Sequence, residues 1–167
     1  FLIYTAMSSL GLSPILSVIL AMVLCTILGM TIEKIAYRPL RNAGSPLAVL
    51  ITAIGVSYLL QNLGLLIFGA DTKSFKSIVN MEALQFAEGQ LTVSGEAVVT
   101  IIVSIVIMLA LTSFVKYTKA GRAMVAVSED RGAAQLMGIN VNGTIALTFA
   151  IGSALAAVAG ALLCSAY

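Results

Sequence analysis

The chain has 167 residues, of which 60% are hydrophobic and 10% charged, with a formal net charge of +2 and a mean hydropathy of +1.08. A soluble domain carries about 25% charged residues, so this chain has too few polar groups to cover a surface in water. Its charge is also too small and too scattered for nucleic acid. A hydrocarbon core of about 30 Å takes roughly 20 apolar residues per helix. The length therefore allows about four spans, and the expected fold is an all-α polytopic membrane protein, a single transmembrane domain over 1–167.

Phe1 to Met7 reads as the tail of a helix, a partial span over about 1–8. The chain opens on Phe within an apolar run, and an internal fragment of a longer protein is expected. Ser13-Pro14 supplies an N-cap and N1 pair, opening a span over about 13–35. Charges return at Glu33, Lys34, Arg38 and Arg41, and Pro39 is expected to stop the helix. Ser45-Pro46 repeats the start signal for a span over about 46–69, uncharged but with Thr52, Ser57, Gln61 and Asn62 inside it. The segment 70–95 is the longest polar stretch. Within it Leu84 to Ala87 and Gln90 to Val93 alternate around Glu88-Gly89, a hairpin signal that puts Leu84, Phe86, Leu91 and Val93 on one face. Further spans are expected at about 96–116 and 143–166, separated by a patterned polar segment, 117–142. The last span carries Gly152, Ala156 and Gly160 at steps of four, with Ser153, Ala157 and Ala161 beside them. Small residues at that spacing let helix backbones approach closely in lipid, so Gly152, Ala156 and Gly160 read as a helix-packing face.

Charge sets the expected orientation. Lys34, Arg38 and Arg41 lie between the first two complete spans, and Lys116, Lys119, Arg122 and Arg131 follow the third. The loop between them has Lys73 and Lys76 against Asp71, Glu82, Glu88 and Glu96. The positive-inside rule makes the two basic segments cytoplasmic and the hairpin loop extracytoplasmic.

Several chemistries find no residues to carry them. Without histidine the usual proton shuttle is missing, and no P-loop, GxSxG or HExxH motif appears. No catalytic residue and no cofactor is expected. Cys25 and Cys164 lie in apolar runs and read as small buried hydrophobes, with no metal or redox site. No charged residue lies well inside a span, against a proton relay or voltage sensor of the ordinary kind; a channel or secondary transporter that uses no ATPase stays an alternative. What remains is polar and uncharged. Gln61 falls one turn beyond Ser57, and an amide in hydrocarbon must face protein or water. Thr52, Ser57, Gln61 and Asn62 either bond between helices or line a substrate path. In 117–142, Glu129-Asp130 can cap a second short helix and Gly138 is a good C′ stop. The result is two short amphipathic helices at the membrane surface, resting on lipid or gripped by another protein.

These residues carry a resemblance. IEKIAYRPLR at 32–41, LITAIGVSYLLQN at 50–62, TKAGRAMVAVSEDRGAAQLMGINVN at 118–142 and IALTFAIGSALAAVAG at 145–160 resemble the permease subunits of branched-chain amino-acid ABC importers, the H-type of the Liv-type family. The resemblance implies a multi-pass permease of a bacterial or archaeal inner membrane. Its implied partners are a second homologous permease, cytoplasmic ATP-binding subunits that hydrolyse the ATP, and an extracytoplasmic substrate-binding protein. It further implies that the E-A-A-x-x-x-G pattern docks on the ATPase. Ala133, Ala134 and Gly138 fit that pattern, with Gly132 where the acidic residue belongs and Glu129, Asp130 or Arg131 able to compensate. Motion would pass through the helices from Gly121 and Arg122 onward. Related permeases carry urea or short amides, which leaves cargo as the open alternative.

Overall fold

The computed structural model describes residues 1–11, 13–42, 45–71, 84–86 and 91–166. Its helices are α1 (Leu2–Ser9), α2 (Pro14–Ile32), α3 (Arg38–Leu40), α4 (Pro46–Phe68), α5 (Gly95–Tyr117), α6 (Lys119–Glu129), α7 (Arg131–Leu136) and α8 (Val141–Ala166). Two three-residue strands, β1 (Leu84–Phe86) and β2 (Leu91–Val93), pair antiparallel with Leu84 opposite Val93 and Phe86 opposite Leu91. The connecting positions 87–90, including Glu88 and Gly89, lie outside the described residues, as do Lys73, Lys76 and Glu82.

Among the described residues, four helices are long and apolar enough to cross a membrane: Pro14–Leu40, Pro46–Phe68, Gly95–Tyr117 and Val141–Ser165. The 23 residues of α4 make a rod of about 35 Å at 1.5 Å per residue, enough for the hydrocarbon core. The apolar stretches of α4 and α5 have none of their residues buried in the chain. Leu66 is 82% exposed and Ile15 72%. A helix that is hydrophobic on every side and carries such surface has lipid or another helix as its solvent.

Pro39 does not stop the helix. Glu33–Tyr37 winds as a π-helix and passes directly into α3, which contains the proline. Proline lacks an N–H and its ring presses on the carbonyl four residues back. A wider turn lets winding continue past it, with the Arg38 N–H donating to the Glu33 carbonyl. The helix starts follow the sequence more closely. Ser13 and Ser45 occupy N-cap positions with proline at N1, although neither side chain makes a capping bond.

The chain divides into two compact units, Phe1–Phe75 with Ala146–Val158 and Lys76–Ile145 with Ala159–Tyr167. The first buries small residues. Ala6 on α1 and Ser17 and Ala21 on α2 are at most 3% exposed, and the Ser17 hydroxyl donates to the Ser13 carbonyl at 3.1 Å. Between α2 and α8, a side chain at Gly29 would collide with Ser153, and Tyr37 of the π-helical turn meets Phe149 of α8 with ring centroids 5.0 Å apart. In the second unit Val127 of α6 and Ala134 of α7 are buried.

Candidate functional site

The polar segment after α5 is built by three capping residues. Thr118 stands in extended conformation between α5 and α6. Its hydroxyl donates to the Phe114 carbonyl at 2.6 Å and accepts from the Gly121 N–H at 3.0 Å, so one side chain ends one helix and starts the next. Gly121 is buried, and a Cβ there would strike the Phe114 and Val115 backbone, with the Phe114 carbonyl at 2.5 Å. The elbow therefore needs glycine on steric grounds, and Arg122 beside it is exposed.

Asp130 caps α7. Its Oδ1 accepts from the N–H groups of Gly132 at 2.8 Å and Ala133 at 3.1 Å. At the other end Gly138 has φ +81°, with its N–H on the Gln135 carbonyl and the Ile139 N–H on the Ala134 carbonyl. This is the glycine-terminated closure expected of a helix stop. Asn140 then caps α8, its Oδ1 accepting from the Gly143 N–H at 3.1 Å. The result is a six-residue helix closed at both ends. Glu129 and Ala133 are exposed and Ala134 is turned inward at 4%. At its tip Leu136 is 90% exposed and Met137 83%.

The polar residues of α4 separate into two kinds. Thr52 donates to the Ala48 carbonyl and Asn62 to the Tyr58 carbonyl, both at 2.8 Å, within their own helix. Gln61 and Ser57 are exposed and have no side-chain partner among the described residues. On α8 the buried positions are Ala157, Ala161 and Ser165; the first two stand one place along from Ala156 and Gly160, which with Gly152 are exposed. Gly152 and Ala156 instead help line an open groove of about 370 Å³ with Thr148, Phe149 and Ser153. The cysteines also differ from expectation, since Cys164 is exposed and Cys25 is half-buried. Helix α8 is apolar enough to present such a residue outward at no cost in lipid.

One feature escapes a reading by spacing. Glu33 is 1% exposed and ion-paired with Arg41, eight residues on. Its neighbours Lys34 and Arg38 point outward. The only sequence signal for the pair is a lone acid in a basic segment that contains a proline.

The whole chain, residues 1–167, matches the family model described as branched-chain amino acid transport system / permease component. The high-affinity branched-chain amino acid transport system permease protein LivH of Escherichia coli (strain K12) is 43% identical over 148 residues, covering 86% of this chain and 47% of that protein. LivH of Salmonella typhimurium (strain LT2) is 41% identical over 145 residues with the same coverage. The high-affinity branched-chain amino acid transport system permease protein BraD of Pseudomonas aeruginosa is 38% identical over 173 residues, covering 98% of this chain and 55% of that protein. The chain thus spans about half the length of the curated relatives it matches. No solved structure matches it. With its four apolar helices and these relatives, it is a multi-pass protein of the plasma membrane, and it belongs to the family of branched-chain amino acid transport permease components.

Proposed function

We propose that this chain is a membrane-embedded part of the permease subunit of an ATP-driven importer, and that its cargo is a branched-chain amino acid. A soluble binding protein delivers the amino acid to the outer face, and this permease forms the path with a second, homologous one. Cytoplasmic ATPase subunits drive the change between two permease conformations that they favour unequally. Support for the cargo comes from the relatives, which are described as branched-chain amino acid permeases.

The observation that carries the ATPase contact is α7. A helix of six residues is too short to be stable alone, yet it is capped by Asp130 and closed at Gly138. It presents Leu136 and Met137 almost fully exposed at its tip. Two large apolar side chains held on a rigid tip form a knob suited to an apolar cleft. Gly121, Arg122, Glu129, Asp130, Ala133, Ala134 and Gly138 are the residues that build and carry this knob. Substrate would pass the exposed Ser57–Gln61 strip of α4, while Gly152, Ala156 and Gly160 offer a packing face to a further helix.

The test is co-purification of the full-length permease with its ATPase subunits, followed by substrate-stimulated ATP hydrolysis in liposomes. Stimulation by leucine, isoleucine or valine is expected, and stimulation by urea or short amides alone overturns the cargo. Leu136→Glu with Met137→Glu should abolish ATPase co-purification while leaving membrane insertion intact. Normal co-purification of that variant removes α7 from the contact.

A further inference from the structure

The Glu33–Arg41 pair lies outside the residues assigned above to the ATPase contact and to the path along α4. Its side chains are 1% and 12% exposed, whereas Lys34 and Arg38 in the same segment are exposed. Between the partners lie the π-helical turn Glu33–Tyr37 and the proline-containing α3. A π-turn holds one residue more than the α-turn it replaces, and such turns are short and rare. If it relaxed to α winding, α2 would rotate about 100° relative to α3. Two contacts with α8 depend on that setting. Gly29, before the turn, fits against Ser153, and Tyr37, at its end, lies against Phe149. Both survive only while the turn keeps its winding.

A buried ion pair is a poor way to gain stability, because apolar side chains of similar volume usually do as well. What it adds is direction, since each charge accepts few arrangements of the other. We propose that Glu33 and Arg41 are positioning residues that clamp the π-helical turn and so fix the rotational setting of α2 that transport requires. The inference rests on the importer reading for its role in transport, but the clamp itself does not depend on that reading.

The experiment uses the full-length permease as E33Q, R41Q, E33Q/R41Q and the exchange E33R/R41E. In detergent, R41Q should lower the unfolding midpoint more than E33Q/R41Q does, because it strands the buried Glu33 carboxylate. R41Q that unfolds like the wild type overturns the clamp, whether or not the protein transports. In liposomes with its ATPase subunits and leucine-loaded binding protein, E33Q/R41Q should move about tenfold fewer amino acids per ATP hydrolysed. The half-saturating concentration of binding protein should stay unchanged. The exchange should recover most of the loss. Wild-type coupling in E33Q/R41Q overturns the positioning role, while a wild-type permease that never couples leucine to ATP instead overturns the importer reading.

Discussion

Gly121 shows how one residue fixes the joint between a membrane helix and its polar continuation. An added Cβ meets backbone atoms of Phe114 and Val115, which cannot swing aside as a side-chain tip would. Gly121→Ala should therefore destabilise the α5–α6 elbow by about 1–3 kcal/mol, the usual cost of overpacking. Thermal unfolding of the purified permease would register this, and an unchanged midpoint would remove the steric argument. At Asp130 the loss is of a different kind. Asp130→Ala orphans the Gly132 and Ala133 N–H groups and should cost about 1 kcal/mol, borne by α7 alone. Faster hydrogen exchange at those two amides, with α5 unchanged, is the expected signature. Equal protection in both proteins would mean that α7 is held by something other than its cap.

At the scale of the element, the apolar runs and local turn chemistry are legible in the sequence. Asp130 and Gly138 act within three or four residues of themselves, so the pattern around them suffices. Asn140 carries the same kind of signal, but Thr118, a capping residue shared between α5 and α6, is recognised only once both helix ends are known. The π-helical turn and the Glu33–Arg41 pair are not legible, because spacing rules assume a regular helix and this one widens before Pro39. On α8 the buried line falls one residue from the glycine stripe, and which face is buried depends on the neighbours α8 meets; nearer its start these are Gly29 of α2, against Ser153, and Tyr37 of the π-helical turn, against Phe149. In α4 the structure sharpens a choice. Asn62 and Thr52 bond to their own helix, whereas Gln61 does not, so only its amide needs a partner from elsewhere. Gln61→Leu should lower import roughly tenfold, given 1–2 kcal/mol for a hydrogen bond in lipid. Thr52→Val should leave import close to wild type. Equal import by both variants would take the α4 strip out of the path.

Sidedness belongs to the whole molecule, and it reduces to parity. Between the basic residues at 34–41 and those at 116–131 the described residues include two helices long enough to span, α4 and α5. Helices α6 and α7, with 11 and 6 residues, reach only about 17 Å and 9 Å and cannot cross. Two crossings would return the chain to the side it left, so both basic segments are expected on one face and Ser94, at the start of α5, on the other. By the positive-inside rule that face would be cytoplasmic for the basic segments. Ser94, Lys34 and Lys119 are all exposed, so cysteine at each is open to reagent. In a background with Cys25→Ala and Cys164→Ala, S94C should react with a membrane-impermeant maleimide from outside intact cells. K34C and K119C should react only in inverted vesicles. If K119C and S94C react from one side, α5 does not cross the membrane, and the knob at Leu136 and Met137 faces away from any cytoplasmic ATPase.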